Sequence, residues 1–147
     1  MRGSNRWLFF VIMLVSGILI INEILVQRDQ PAFLDVEREG IVAYVVDGDT
    51  IVLQNGEKVR LVGVNAPEVS SDDGLKAKEF VEHFCPPGTV IGLDVDGLSP
   101  KDKYGRTVAV VYVEVSGQWV NLNAELLHSG HASLMFVPPS EFNPYLW

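Results

Sequence analysis

The sequence predicts a mainly β domain, a small closed barrel of about five short strands with two or so short helices, behind an apolar N-terminal segment. Short runs of β-branched and aromatic residues recur along the chain, and tight turns such as Asn55-Gly56 and Ser116-Gly117 separate them. A helix-like segment interrupts these runs midway. Leu8 to Ile21 is almost wholly apolar, which sets the N-terminus apart from the barrel.

Residues 1–26 are predicted to be a membrane anchor or a signal sequence. Arg2 and Arg6 precede the apolar run, and its end lacks the small residues of a cleavage site, so an uncleaved transmembrane helix is favoured. Trp7 to Val26 supplies the roughly 20 residues that a span needs. The positive-inside tendency then places everything after Gln27 outside the cytoplasm. We expect a single-pass cell-membrane protein with an extracytoplasmic domain, or otherwise a secreted one.

A charged linker containing Pro31 is expected over residues 27–40, and the domain proper over 41–137. The first predicted strand, Ile41 to Val46, ends at an Asp-Gly turn. Thr50 to Leu53 then continues as the second strand. These two short β-branched segments are typical of adjacent strands in a small barrel.

Asn55-Gly56 signals a two-residue hairpin loop, so Glu57 to Val64 should pair back on the preceding strand. The side-chain period of two places alternate residues on opposite faces, with Arg60 turned away from the barrel interior. The interior face is expected to carry Val59, Leu61 and Gly63.

An amphipathic helix is predicted over Leu75 to Phe84, after helix-capping candidates between Ser70 and Gly74. Pro86-Pro87-Gly88 ends it. The apolar face of this helix is expected to consist of Leu75, Phe80, Val81 and Phe84.

Two longer strands follow, Thr89 to Asp96 and Thr107 to Val115, and Gln118 to Val120 extends the sheet. Asn121 to Ser129 is predicted to form a second short helix, with Gly130 at its C-terminal cap. Residues 138–147 contain three prolines and are expected to form an extended strap. The aromatic anchors expected for this strap are Phe142, Tyr145 and Trp147.

Composition limits the binding partners. The formal net charge of −8 argues against a broad basic face, so nucleic acid would be bound locally. Arg60, Lys101, Lys103 and Arg106 could supply a small positive patch for one or two phosphates. Cys85 is the sole cysteine, which excludes an intrachain disulfide, and we expect it to be a buried structural thiol.

The residue types needed for phosphodiester hydrolysis occur on separate segments. That reaction needs a cation on the non-bridging oxygens, guanidinium groups that follow the growing negative charge, and a carboxylate that directs water at phosphorus. Asp47-Gly48-Asp49-Thr50 alone is better explained as an ordinary turn between strands. Hairpin pairing, however, would bring Arg60 and Glu68 near Asp49, and Arg106 supplies a second guanidinium.

Four segments, in order, carry a resemblance to a known family. They are Val46-Asp47-Gly48-Asp49-Thr50, the run from Arg60 to Glu68, Asp102-Lys103-Tyr104-Gly105-Arg106, and Val120-Asn121 through Gly130-His131-Ala132. From about Ile41 to Phe136 the chain resembles the staphylococcal nuclease (thermonuclease) family. The resemblance implies an OB-fold barrel that cleaves DNA and RNA with calcium, breaking the 5′ P–O bond to leave 3′-phosphate ends.

The resemblance also implies a role for each matching residue. It makes Glu68 the residue that orients or deprotonates the attacking water, and Arg60 with Arg106 the groups that hold the phosphate. The implied calcium ligands are Asp49, Asn65 and the backbone carbonyl of Ala66. Beside this set lie Asp47 and Thr50. The implied substrate contacts are Lys103, Tyr104 and Phe136.

Two departures from the family pattern bear on function. Asn65 occupies the place of a second aspartate ligand, and an amide oxygen brings no charge, so we expect calcium to bind roughly ten- to a hundred-fold more weakly. Phe136 stands where the family often has a tyrosine, so it keeps stacking but lacks the hydroxyl.

The leading interpretation is a calcium-dependent nuclease for DNA and RNA, preferably single-stranded or flexible, with a membrane contact through its N-terminal helix and no obligate protein partner. One rival is a catalytically weak or inactive OB-fold module that binds nucleic acid or protein. Another is an envelope interaction domain in which the motifs are structural only.

Overall fold

The computed structural model describes residues 36–147. The anchor expected over residues 1–26 and the linker up to residue 35 lie outside the described residues. Within the described range, no helix combines the length and the apolar character needed to cross a membrane. The elements are β1 (Arg38–Asp47), β2 (Thr50–Leu53), β3 (Lys58–Leu61), β4 (Val64–Asn65), α1 (Asp72–Phe84), β5 (Val90–Val95), β6 (Thr107–Val115), β7 (Gln118–Asn121), α2 (Leu122–His128), β8 (Ser133–Leu134) and a 3-10 turn (Pro144–Leu146).

Five strands close into a barrel in the order β3-β2-β1-β5-β6, and β7 continues the sheet beyond β6. Neighbouring strands are antiparallel except at the closure, where β3 pairs in parallel with β6 through Val59 with Thr107 and Leu61 with Ala109. The five-stranded closed barrel with two helices is confirmed, and it has the architecture of an OB-fold.

Strand β1 begins at Arg38 rather than at Ile41, because residues 38–41 pair with β5. Its register against β2 shifts twice, between Val42 and Tyr44 and between Val45 and Asp47. Such bulges increase the local twist and bend of a strand. The bend lets β1 belong to both sides of the barrel.

A hairpin forms between β2 and β3 at Asn55-Gly56, but its loop is not the predicted two-residue one. The backbone N–H of Leu53 donates to the carbonyl of Glu57, which leaves three residues in the loop, with Gly56 at φ 84°. Val59 and Leu61 are fully buried, and Arg60 lies on the opposite face. Gly63 is buried as well, but it does not lie on the strand as predicted. It lies in a turn between β3 and β4 at φ 77°, a conformation that glycine adopts without the steric penalty of a Cβ.

Helix α1 begins after Ser71, whose hydroxyl accepts a hydrogen bond from the backbone N–H of Gly74. Ala77 and Val81 are fully buried, one helical turn apart. Leu75 is 49% exposed, so its place on the apolar face was wrong: it follows the cap in the first turn and faces solvent. Phe80 and Phe84 are partly buried and pack against the core.

The strap packs differently from the prediction. Trp147 contacts the core, and Pro144 rather than Tyr145 is buried. Tyr145 is 70% exposed, so it is not an anchor. The side chain of Asn143 accepts a hydrogen bond from the backbone N–H of Tyr145 and so caps the 3-10 turn. The Trp147 ring packs against Gly63, which has no side chain: a Cβ at this position would lie 2.8 Å from the ring.

Candidate active site

An open cleft of about 750 Å³ lies on one side of the barrel. It gathers residues from the β1–β2 turn, from β3 and the segment after it, from the loop before β6, and from the start of the strap. All sequence-predicted site residues except Thr50 line it: Asp47, Asp49, Arg60, Asn65, Ala66, Glu68, Lys103, Tyr104, Arg106 and Phe136. The structure thus brings together segments up to 89 positions apart, from Asp47 to Phe136.

The carboxylate of Asp49 is buried at the inner end of the cleft. Its Oδ2 accepts a hydrogen bond from the backbone N–H of Ala66 at 2.9 Å, and its Oδ1 accepts one from the Thr50 hydroxyl at 3.1 Å. The side chain of Asp47 accepts a hydrogen bond from the backbone N–H of Asp49. Burial raises the pKa of Asp49, nearby Asp47 adds to the rise, and Arg60 opposes both.

The predicted calcium ligands fit the ion by donor type. A carboxylate, an amide oxygen and a backbone carbonyl are the hard oxygen donors that calcium takes. Asp47 lies beside Asp49 at the same cleft, and burial raises the pKa of the Asp49 carboxyl. Within residues 36–147 no group of three or more His, Cys, Asp or Glu side chains is arranged to hold a metal. The amide oxygen of Asn65 and the carbonyl of Ala66 do not belong to these residue types, and neither brings a charge to the predicted ligand set.

The guanidinium of Arg60 is fixed by three acceptors. It donates to the backbone carbonyl of Leu61 at 2.5 Å and to that of Val64 at 2.8 Å, and it forms an ion pair with Asp49 at 3.2 Å. Burial lowers the pKa of Arg60, Asp49 opposes this, and the neighbouring Arg106 lowers it further. An arginine remains charged even so. Two like charges are therefore held near each other, an arrangement suited to a polyanionic ligand.

Arg106 is held from two sides. Its Nε donates to Oδ2 of Asp102 at 2.6 Å, and its Nη1 donates to the Thr50 hydroxyl at 3.2 Å. Thr50 in turn donates to Asp49, so one hydroxyl connects the guanidinium with the carboxylate. The ring of Tyr104 lies 5.4 Å from the guanidinium carbon of Arg106, within the range of a cation–π contact.

Asp102 organises the loop that carries Arg106. Its Oδ1 accepts hydrogen bonds from the backbone N–H groups of Tyr104 and Arg106. Burial pushes the pKa of Asp102 up, but the hydrogen bonds from Arg106 and Tyr104 outweigh it and lower the pKa. The sequence alone predicted no separate role for Asp102. The Asp-x-x-Gly-Arg spacing, with a left-handed Gly105 at φ 80°, is the signal that could have identified it.

Glu68 lies exposed at the cleft, where its backbone is fixed by the start of α1. The carbonyl of Glu68 accepts from the backbone N–H and the hydroxyl of Ser71, at 3.0 and 2.8 Å. A Cβ on Gly74 would lie 1.9 Å from that carbonyl oxygen, so only glycine allows the helix to approach so closely. The helix therefore positions the Glu68 segment while its carboxylate remains accessible.

The segment that leads into the strap, residues 133–137, lines the cleft with apolar side chains. Ser133 pairs with Asn65 in the two-stranded sheet of β4 and β8, which ties this segment to the predicted calcium ligands. Phe136 is 40% exposed, and its ring contacts Tyr145 edge to face at 6.4 Å between centroids. A cleft that is lined by two arginines and an aromatic ring can bind a phosphate and an adjacent planar group together.

Asn123 is a buried residue that the sequence analysis missed. Its Oδ1 accepts from the backbone N–H of Val111, and its Nδ2 donates to the carbonyls of Val62 and Ala109. These bonds join α2 to β6 and to the segment between Arg60 and Asn65. An asparagine at the third position of a predicted helix gives no sequence signal for such long-range partners.

Comparison with known proteins supports the same reading of the motifs. A family model described as "Staphylococcal nuclease homologue" matches residues 58–145. The endonuclease YhcR of Bacillus subtilis is 36% identical over 132 residues, which cover 80% of this chain and 10% of that protein. The thermonuclease of Staphylococcus intermedius is 33% identical over 144 residues, which cover 89% of this chain and 82% of that protein.

A third relative, an uncharacterized protein of Methanocaldococcus jannaschii, is 34% identical over 128 residues, which cover 69% of this chain and 62% of that protein. The chain thus spans a tenth of the Bacillus protein and less than two thirds of the archaeal one. The family match nevertheless covers more than half of the chain, and the thermonuclease is covered over most of its length. The chain belongs to the staphylococcal nuclease homologue family.

Proposed function

We propose that this protein is a calcium-dependent endonuclease that hydrolyses phosphodiester bonds of DNA and RNA. The observation that carries the proposal is the convergence of Arg60, Arg106, Glu68 and Asp49 on one cleft. Cleavage of the 5′ P–O bond, leaving a 3′-phosphate end, is part of the proposal and rests on the family resemblance. The relatives named as endonuclease and thermonuclease support it.

In the proposed reaction, Arg60 and Arg106 bind the non-bridging oxygens of the scissile phosphate. Their charges oppose the negative charge that grows as water adds to phosphorus, and their fixed positions require no reorganisation at that moment. Calcium, when bound, supplies further positive charge at the phosphate and helps orient the water. Asp49, Asn65 and Ala66 would hold the ion.

Glu68 is the proposed general base. Its exposed carboxylate takes a proton from the attacking water, whose oxygen bonds to phosphorus while the bond from phosphorus to the 5′ oxygen breaks. The departing 5′ oxygen takes a proton from solvent, which reaches the open cleft. Lys103 and Tyr104 contact the neighbouring backbone, and Phe136 stacks on a base, which favours flexible or single-stranded substrates.

We further propose, from the sequence of residues 1–26, that the chain is anchored in the cell membrane with the domain outside the cytoplasm, or is otherwise secreted. Membrane fractionation together with protease digestion of intact cells tests this. The proposal fails if the chain fractionates with soluble cytoplasmic proteins.

A nuclease assay of the full chain with calcium, and then with chelator, tests the proposed activity. We expect cleavage of labelled single-stranded DNA and RNA with calcium alone, and 3′-phosphate ends on the products. Glu68→Gln and Arg106→Ala should each lower kcat by about a hundred-fold or more. Glu79→Gln, an exposed glutamate of α1, is the matched control and should leave kcat unchanged.

The same assay separates the rival function. An OB-fold module without catalysis would bind the labelled strand and leave it intact, with or without calcium. Asn65 and the net charge of −8 are the features that favour this rival. Cleavage that persists in Glu68→Gln at the unmodified rate would overturn the assigned role of Glu68.

A further inference from the structure

A second polar cluster lies beside the cleft, on the outer side of the barrel closure. Its centre is the carboxylate of Glu57, which follows the hairpin turn between β2 and β3. Arg38, from the start of β1, donates to both of its oxygens, at 2.6 and 3.0 Å. The buried hydroxyl of Thr107, at the start of β6, also donates to Glu57. One side chain thus joins three strands of the barrel.

Two of these contacts reach the loop that carries Arg106. Lys101 and Thr107 form an isolated bridge at the base of this loop, and we call these two residues the loop neck. The ammonium of Lys101 donates to the Thr107 hydroxyl at 2.7 Å and lies 3.9 Å from Glu57. Both residues of the loop neck are therefore bound to the Glu57 carboxylate or to its direct partner.

The loop neck is adjacent in sequence to the pair that carries the arginine. Lys101 precedes Asp102, and Thr107 follows Arg106. Asp102 and Arg106 hold each other through backbone and side-chain hydrogen bonds. A displacement of the loop neck would therefore move the whole pair, and with it the guanidinium in the cleft.

We propose that Glu57 is a positioning residue for Arg106, acting through the loop neck. Glu57 does not line the cleft, so its effect is indirect. An exposed ion pair usually contributes little, but here the arginine binds both carboxylate oxygens and the third partner is a buried hydroxyl. A shift of about 1 Å in a catalytic group is enough to lower a rate as much as about a hundred-fold.

The kinetic test of this inference rests on the proposed function. It is a double-mutant cycle, in which kcat is measured for substitutions at Glu57 and Arg106, alone and together. Glu57→Gln keeps the size of the side chain and removes its charge. We expect it to lower kcat about ten-fold, with KM changed less than about two-fold. In the Arg106→Ala background the same substitution should lower kcat no further, because its effect passes through Arg106.

An equal fall in kcat in both backgrounds would show general destabilisation and overturn the inference. Glu79→Gln is the matched control, since it removes one glutamate charge from the exposed surface of α1. If Glu57→Ala folds, it should lower kcat more than Glu57→Gln does. If Glu57→Ala does not fold, the milder Glu57→Gln variant alone tests the inference.

Amide hydrogen exchange supplies a readout that does not depend on nuclease activity. The N–H groups of Tyr104, Gly105 and Arg106 all bond to Asp102, so they report on the order of the loop. In Glu57→Gln their exchange should be at least about ten-fold faster, and this increase should exceed any increase at the buried N–H of Val111, which reports the global stability. Unchanged exchange in the loop would refute the inference even in an active enzyme. An enzyme without any activity would refute the proposed function alone.

Discussion

The guanidinium of Arg60 lies 3.2 Å from the carboxylate of Asp49, and both side chains are nearly buried. Arg60 is the nearest positive charge to this carboxylate, while Asp47 adds a like charge beside it. At the inner end of the cleft, the Asp49 carboxylate is thus attracted by Arg60 and repelled by Asp47. A substitution that changes one charge there should alter cation binding more than it alters the fold.

Asn65→Asp should tighten calcium binding, because it adds a formal charge to a ligand set that has few. We expect the calcium concentration at half-maximal activity to fall roughly ten- to a hundred-fold. Calcium titration of activity measures this. Asn143→Asp, which adds the same charge on the strap outside the cleft, is the control and should change nothing; equal half-saturation in all three proteins would discard the idea.

Glu57 should stabilise the fold in a pH-dependent way. Its hydrogen bonds with Arg38 lower the pKa of Glu57 from 4.5 to about 2. The stabilisation is therefore fully present above pH 4.5 and is lost as the pH falls through about 2. Thermal unfolding should show a lower Tm for Glu57→Gln at pH 7 and a difference that narrows toward pH 2. A constant difference across this range would contradict the prediction.

Gly63→Ala should destabilise the fold more than Gly56→Ala does. Both glycines have positive φ, so both substitutions carry the same backbone penalty. A Cβ on Gly63 would also lie 2.8 Å from the Trp147 ring, whereas a Cβ on Gly56 would meet nothing within 4 Å. We expect an additional loss of about 1–3 kcal/mol in the free energy of unfolding, measured with urea. Equal losses in the free energy of unfolding would show that the strap can move away from the added methyl group without destabilising the fold.

Cys85 should be unreactive in the folded protein. Burial raises the pKa of its thiol to about 12, and Glu82 adds to the rise. The thiolate that attacks a disulfide reagent is thus almost absent at neutral pH. Labelling with a chromogenic disulfide should be slow in the native state and complete in denaturant. Rapid labelling of the native protein would place the thiol at the surface.

The sequence was sufficient for the features that rest on local signals. β6 has the predicted bounds, the Asn55-Gly56 hairpin forms, and Cys85 is buried, because each follows from a strand pattern, a turn dipeptide or a lone thiol. The residues of the cleft were also named in advance, from motifs that lie far apart in the chain. Their placement on one cleft was predicted, and the structure shows it. Their chemical roles remain predictions.

The features that the sequence did not predict depend on packing between distant segments. Tyr145 and Trp147 are both aromatic residues of the strap, and only the space above Gly63 decides which of them is covered. Arg38 was placed in the linker, although its partner Glu57 lies 19 positions further along. No local pattern encodes such a pair. The sequence therefore could not show that Glu57 connects the β2–β3 hairpin with β1 and β6.

The parallel pairing of β3 with β6 joins residues nearly fifty positions apart, and contacts of such long range form slowly and late. Arg60 and Thr107, the neighbour of Arg106, lie on these two strands. A chain whose barrel is still open therefore has its two guanidiniums on separate, unattached strands. Only the completed barrel brings the two guanidiniums to one cleft, so a partly folded chain would lack the proposed phosphate-binding site.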